Sequence, residues 1–278
     1  MLNSRDEQIL KTIHHYRYMT AIDMAYRLFS PSSKTHVREI LSGLSGNADH
    51  KQNEYLYRFG IPKAVKGNIE HIYTLGARGR NALAELGLDS DWYHRPSKVS
   101  NQSYSHIVHS LMITKFLVAA NVWFRNHPTL SLIDEKTSYT MQGKVVPDGL
   151  LLLQRQDGAK GAVLVEIDRG NEQQERFKKH IRDRLVFVRS GRHEEAYGTR
   201  GVFFAYVVVD DNERFRQTRL RTMQAWAMEV LKEEQRENWA SMFRFSEVGL
   251  GNVYKTPLFD GAVWLRPDKE SKIPLFGG

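Results

Sequence analysis

Two largely apolar runs, residues 145–153 and 162–167, stand on either side of the pair Asp157-Gly158. Runs of that length separated by turn chemistry predict two buried strands joined as a hairpin. The charged stretch 172–190 follows, with Leu185, Val186 and Val188 as its apolar positions, and predicts a helix packed on those strands. Residues 201–210 (GVFFAYVVVD) predict the most deeply buried strand, because a continuous apolar run belongs to a strand covered on both faces. Ahead of the hairpin, residues 103–125 predict a long apolar helix, and residues 130–135 open the next element. Beyond the buried strand, residues 213–238 predict a second long charged helix with Trp226, Met228, Val230 and Leu231 as its stripe. Residues 242–245 predict a last short strand.

The first part of the chain has a different rhythm. Ile9, Leu10 and Ile13 share a face of a helix over 5–16. Thr20 caps a second helix over 21–29, and the Ser-Pro-Ser-Ser turn from residue 30 leads into a third over 34–44. Three short helices with a tight second turn form the helix-turn-helix pattern. The outward positions Ser33, Lys34, His36 and Arg38 carry donors suited to phosphates and base edges. Residues 54–59 and 71–75 then alternate as a hairpin whose tip carries Lys63 and Lys66, as the wing of a winged helix does. Such three-helix units also serve as protein-docking modules, and that alternative stays open.

These patterns predict an α+β chain: a winged helix-turn-helix over 1–88, a linker over 89–102, an α/β core of mixed sheet and flanking helices over 103–250, and a C-terminal tail over 251–278. The tail has lost periodicity and is expected to wrap the surface or to carry a contact of its own.

Charge adds a partner. Forty Lys and Arg against 32 Asp and Glu leave a net charge of +8, which favours polyanions, nucleic acid first among them, over a merely solvated basic surface. The chain has no cysteine, which excludes disulfides, zinc-thiolate sites and thiol nucleophiles. The opening MLNSRDEQIL lacks the apolar core of a signal peptide, and no apolar run approaches a bilayer span, so cytoplasmic residence without a membrane is expected.

Candidate chemistry sits inside the predicted hairpin. Asp148, Glu166 and Asp168 stand within greasy runs, where a carboxylate needs a metal, a cation or hydrogen-bond donors. Glu166 and Asp168 are two apart and project from one face of a strand. Glu135, one element earlier, is expected at the surface. On the helix that follows, Lys178, Lys179 and Arg182 either line a DNA groove or form a soluble face paired with Glu172, Glu175 and Asp183.

Pro147-Asp148 followed by Glu166-Ile167-Asp168 resembles the PD-(D/E)xK restriction-endonuclease-like core. The longer run from Glu166 to Glu172 is similar to the Glu-x-Asp-Arg-Gly-Thr-Glu signature of the replication-relaxation proteins of plasmids and mobile elements. The resemblance implies an N-terminal winged helix before such a core. It further implies Mg²⁺ or Mn²⁺ held by Asp148, Glu166 and Asp168, with a lysine two positions beyond Glu166 activating water. That position is Asp168. Lys144, Lys178 or Lys179 would have to supply the lysine from elsewhere, and His106 on the first core helix, or His109 on the same face, would be the proton carrier, whereas the apolar helix around them reads both as core or interface residues.

Two readings therefore stand: a metal-dependent DNA endonuclease, or a non-catalytic DNA-binding scaffold. The resemblance implies double-stranded DNA as partner, with a role in replication, mobilisation or relaxation and contact with a relaxase or replication machinery. A homodimer is consistent with a winged helix. A transcriptional regulator or recruitment factor whose second domain does no chemistry is the alternative of another class.

Overall fold

The structure, a computed structural model, describes residues 2–45, 54–60, 71–88, 102–138 and 145–276. The chain is mixed α+β, with helices around a five-stranded mixed sheet and a small three-stranded antiparallel sheet. It forms two compact units, Met1–Val118 and Ala119–Gly278.

In the first unit, Asn3 caps helix α1 (Ser4–Tyr16) by accepting from the Asp6 amide, and α1 buries Ile9, Leu10, Ile13 and Tyr16. Strand β1 (Met19–Thr20) runs straight into α2 (Ala21–Leu28) through a capping box. Asp23 accepts from the Thr20 amide at 2.8 Å, and the Thr20 hydroxyl accepts from the Asp23 amide, so two helix-end donors are satisfied reciprocally. Asp23 is fully buried, and the Lys115 ammonium at 2.7 Å compensates its charge. A short 3₁₀ turn, Pro31–Ser33, leads into α3 (Lys34–Ser45), which buries Val37 and Leu41 and leaves Thr35, His36 and Arg38 exposed.

Strands β2 (Leu56–Gly60) and β3 (His71–Leu75) pair antiparallel, and β1 adds to the other edge of β3. Helix α4 (Ala77–Glu85) leaves β3 with its backbone pressed on residues 54 and 55. A Cβ at Gly79 would lie 2.1 Å from the Tyr55 carbonyl oxygen, so only glycine permits that approach. Ile107 and Leu111, from α5 (Tyr104–Arg125), pack with Tyr18 and Ile72.

The second unit is built on the sheet of β4 (Leu130–Thr137), β5 (Gly149–Arg155), β6 (Lys160–Asp168), β7 (Gly201–Val209) and β8 (Phe243–Val248), in that spatial order. The first three strands run antiparallel, and β6, β7 and β8 are mutually parallel. The predicted turn closes the β5–β6 hairpin, with Gly158 at φ +82° and the Asp157 carboxylate accepting from the Ala159 amide at 3.0 Å. The crossover from β6 to β7 runs through α6 (Gln174–Arg189) and α7 (Arg192–Tyr197), and α8 (Glu213–Glu233) links β7 to β8. One sheet face, with Leu164, Phe204, Tyr206 and Val208, packs against Phe177 and Ile181 of α6 and Leu220 and Met223 of α8.

Four expectations change. Helix α8 stops at Glu233, residues 234–236 leave the helix in a turn, and a separate 3₁₀ segment, Glu237–Met242, follows. Glu135 is buried, not at the surface, and accepts from Asn121 Nδ2 at 3.3 Å. By length and composition Ser105–Arg125 is apolar enough to cross a bilayer, yet 72% of its most apolar window is buried within the protein, as for a core helix. The segment after β8 is core, not a surface wrap: Trp264, Leu265 and Leu275 are fully buried. It is held by isolated bridges, Phe245 to Leu265 and Trp264 to Ile273, which leave no strand periodicity to read.

Candidate functional site

Strand β6 delivers Glu166 and Asp168 to the face that carries Leu164, the face packed by α6 and α8. Each carboxylate meets an arginine there. Arg184, from α6, pairs with Glu166, and Arg219, from α8, grips Asp168 through two hydrogen bonds of 2.8 and 3.0 Å. Asp168 also accepts from the Gly170 amide at 3.0 Å. Arg219 donates in addition to the Glu172 carbonyl at 2.8 Å and lies over the Trp226 ring. Asp148, just ahead of β5, reaches across the hairpin and accepts from the Ile167 amide at 2.8 Å. The next turn adds Glu172, whose Oε1 is 2.8 Å from His180 Nδ1 on α6.

The electrostatics follow from burial. Desolvation pushes the Glu166 carboxyl up to about 7, with Asp148 acting the same way and Arg184 opposing. Hydrogen bonding to Glu172 holds the His180 imidazole above its usual value, against burial. Tyr206 stands beside Glu166 in the β6–β7 register, and burial raises its hydroxyl well above the phenol range. Arg184 Nε and Tyr206 Oη are both buried and make no hydrogen bond of good geometry among the described residues.

As arranged, these carboxylates do not fit a divalent ion. Glu166 and Asp168 each already face a guanidinium, and Asp148 spends an oxygen on a backbone amide. Among the described residues, no three of His, Cys, Asp and Glu converge as ligands. Fixed arginines supply the positive charge that the acidic strand end requires.

The remaining candidates are scattered. His106 lies on α5 within the first unit, whereas the carboxylates belong to the second. Partial burial, Arg17 and His109 hold its imidazole below the usual value. Ser33 and Lys34 are half-buried at the start of α3, and His36 and Arg38 are exposed along it. Lys63, Lys66 and Lys144 fall outside the described residues. On α6, Lys178 is buried and binds Glu229 at 2.8 Å, Lys179 binds Asp183 at 2.6 Å, and Arg182 binds Glu233 at 2.6 Å. Sequence reasoning missed Arg184, Arg219, His180 and Tyr206 as members of the cluster. The only signal for them was the need of Glu166 and Asp168 for cations.

A model of the replication-relaxation family matches residues 10–203, from α1 into β7. That span holds Asp148, Glu166, Asp168 and Arg184 and ends before Arg219. No curated protein and no solved structure matches the chain.

Proposed function

The chain belongs to the replication-relaxation family, tied to the replication and relaxation of mobile elements, and from that membership we propose that it is a cytoplasmic protein that binds double-stranded DNA. Its first unit acts as a winged helix-turn-helix. Helix α3 enters the major groove, and the β2–β3 hairpin lies along the backbone. The observation that carries this reading is α3 itself, held by Val37 and Leu41 with Thr35, His36 and Arg38 exposed, beside a β2 strand whose Arg58 reaches Ser42 at 3.1 Å. The net charge of +8 supports a polyanionic partner.

The second unit acts as an endonuclease-like scaffold with arginines in place of metal at its acidic strand end. Apart from the short α7, the helix–strand–strand–strand–helix–strand order from α5 to β7 supports that likeness, and the Arg184 and Arg219 pairs support the scaffold over the nuclease.

The test uses the full chain on duplex DNA. In fluorescence anisotropy at several salt concentrations, Arg38→Ala is expected to weaken binding and to shrink the salt slope by about one, the share of a single neutralised phosphate. An unchanged slope and affinity would remove α3 from the interface. In parallel, supercoiled plasmid with Mg²⁺ or Mn²⁺ is expected to stay intact. Nicking that disappears in both Asp148→Ala and Glu166→Ala would replace the scaffold with a nuclease.

A further inference from the structure

The opposite face of the five-stranded sheet carries a second polar arrangement. The β6–β7 and β7–β8 registers place Val163, Phe203, Ala205 and Arg244 together on that face, turned away from Leu164 and Tyr206. A cavity of about 370 Å³ opens there, lined among others by Arg244, Arg200, Phe203, Met242 and Phe276. A second, of about 590 Å³, shares Gly201, Phe203 and Phe276 with it and adds Arg155 and Lys160. Both volumes lie in the range of small-molecule sites. Among the described residues, four cations and no Asp or Glu line the pair.

Arg244 is the unusual member. It is 2% exposed, and its Nη1 donates to the carbonyls of Ser241 at 2.6 Å and Phe243 at 3.2 Å. Its Nε is buried without a hydrogen-bond partner among the described residues, and the guanidinium lies 5.1 Å from the Phe203 ring centroid. Arg184 and Arg219, whose side chains are no more than 10% exposed, each hold a carboxylate. Arg244 holds none among the described residues. Asp268 favours its charge from nearby, but Arg266 already engages both oxygens of that carboxylate at 2.9 and 2.7 Å, and Arg266 itself repels Arg244. Burial lowers the Arg244 guanidinium to about 10, with Arg266 acting the same way. At the mouths, Arg155 pairs with Asp157 and Arg200 with Glu194, while Lys160 has no carboxylate partner among the described residues.

A buried cation with no carboxylate bonded to it is costly, and an anion entering from the cavity would offset that cost. Phenyl walls beside it favour a flat apolar body. We propose that this cavity binds a small organic anion, a carboxylate or phosphate on a flat apolar body, with the charge on Arg244 and the body against Phe203 and Phe276. An aromatic carboxylate and a nucleoside monophosphate share that chemistry. The site is independent of the DNA-binding reading, since it uses neither α3 nor the acidic cluster.

The experiment titrates the full chain by calorimetry with 2-naphthoate, deoxyadenosine monophosphate, their neutral counterparts naphthalenemethanol and deoxyadenosine, and inorganic phosphate. One organic anion is expected to bind saturably, and which one binds identifies the source of the ligand. Its neutral counterpart and inorganic phosphate should each bind at least about tenfold more weakly. Arg244→Met, with folding checked by circular dichroism, should lose at least about tenfold. Should that variant not fold, amide shifts in the wild-type chain decide, and the bound anion should move the Gly201 and Phe276 amides. Equal binding of a neutral counterpart or of bare phosphate, an unaffected Arg244→Met, shifts confined elsewhere, or no binding of either organic anion at millimolar concentration would each overturn the proposal.

Discussion

Arg219 holds Asp168 by both carboxylate oxygens, Nε on Oδ2 at 2.8 Å and Nη2 on Oδ1 at 3.0 Å, across 51 residues of sequence. The planar fork matches the carboxylate, and neither side chain is more than 10% exposed. The pair ties the end of β6 to α8, and a third bond, from Nη2 to the Glu172 carbonyl at 2.8 Å, fixes the turn between them.

Removing the arginine alone strands a buried carboxylate. Arg219→Met is therefore expected to destabilise the second unit by about 3–5 kcal/mol, the usual loss when one partner of a buried pair is deleted. Arg219→Lys should recover only part of that, because an ammonium cannot span both oxygens. Urea denaturation followed by tryptophan fluorescence measures both, and a midpoint for Arg219→Met equal to wild type would show that the pair contributes nothing.

The acidic strand end also makes stability depend on pH. Glu166 holds its proton to about pH 7 when folded, against 4.5 ordinarily, so the folded state binds more protons than the unfolded one between those values. Its contribution is fully present below pH 4.5 and is lost as pH rises through about 7. His180, raised above 6.5 by Glu172, acts in the same sense: its contribution is present below 6.5 and fades as pH climbs past the folded value. Glu166→Gln should accordingly flatten the fall in stability between pH 4.5 and 7, leaving the part owed to His180. Parallel stability–pH curves for the two proteins would contradict the assignment.

What the sequence made legible was local. The Asp157-Gly158 turn and the apolar run of β7 are settled by turn chemistry and by hydrophobic pattern over neighbouring residues, and both elements formed as expected. The carboxylates on β6 were legible as well, since a charge in an apolar run announces itself. Their partners were not. Arg184 and Arg219 lie 18 and 51 residues away from the groups they bind, and only the docking of α6 and α8 on the sheet brings them there. The basic residues of α6 read as an outward face, turned to DNA or to solvent, yet the buried positions Phe177, Lys178, Ile181, Arg184 and Leu185 recur at helical spacing. Two of its cations thus point inward, and the order of charges along a helix does not say which.

Gly170 sits immediately after this cluster at φ +78°, and a Cβ there would lie 2.3 Å from Phe215 Cζ. Gly170→Ala meets two separate penalties, a left-handed backbone that alanine resists and a clash with the phenyl ring. A loss of about 1–3 kcal/mol is expected. Phe215 is 38% exposed, so Phe215→Ala by itself should cost little. The double variant should recover the steric part of the loss and keep the backbone part, giving a favourable coupling energy in the cycle. Strictly additive losses would mean that the ring moves aside freely and that the backbone alone requires glycine.

The last test concerns the segment after β8, whose lost periodicity suggested a surface wrap. Trp264 is fully buried, its indole Nε1 donates to the Leu258 carbonyl at 2.6 Å, and its backbone bridges Ile273. The neighbouring Leu265 extends the β8 edge by pairing with Phe245. Trp264→Ala removes the largest buried side chain of this unit and leaves the Leu258 carbonyl without its donor, so a loss of about 3–5 kcal/mol is expected. Trp264→Phe keeps most of the volume and gives up the hydrogen bond, and should fall between wild type and alanine. A peripheral strap would behave otherwise: the alanine variant would keep the wild-type unfolding midpoint, and proteolysis would remove residues beyond 249 without unfolding the sheet. The packing predicts instead that cutting within this segment and unfolding the sheet occur together, which limited proteolysis followed by circular dichroism would show directly.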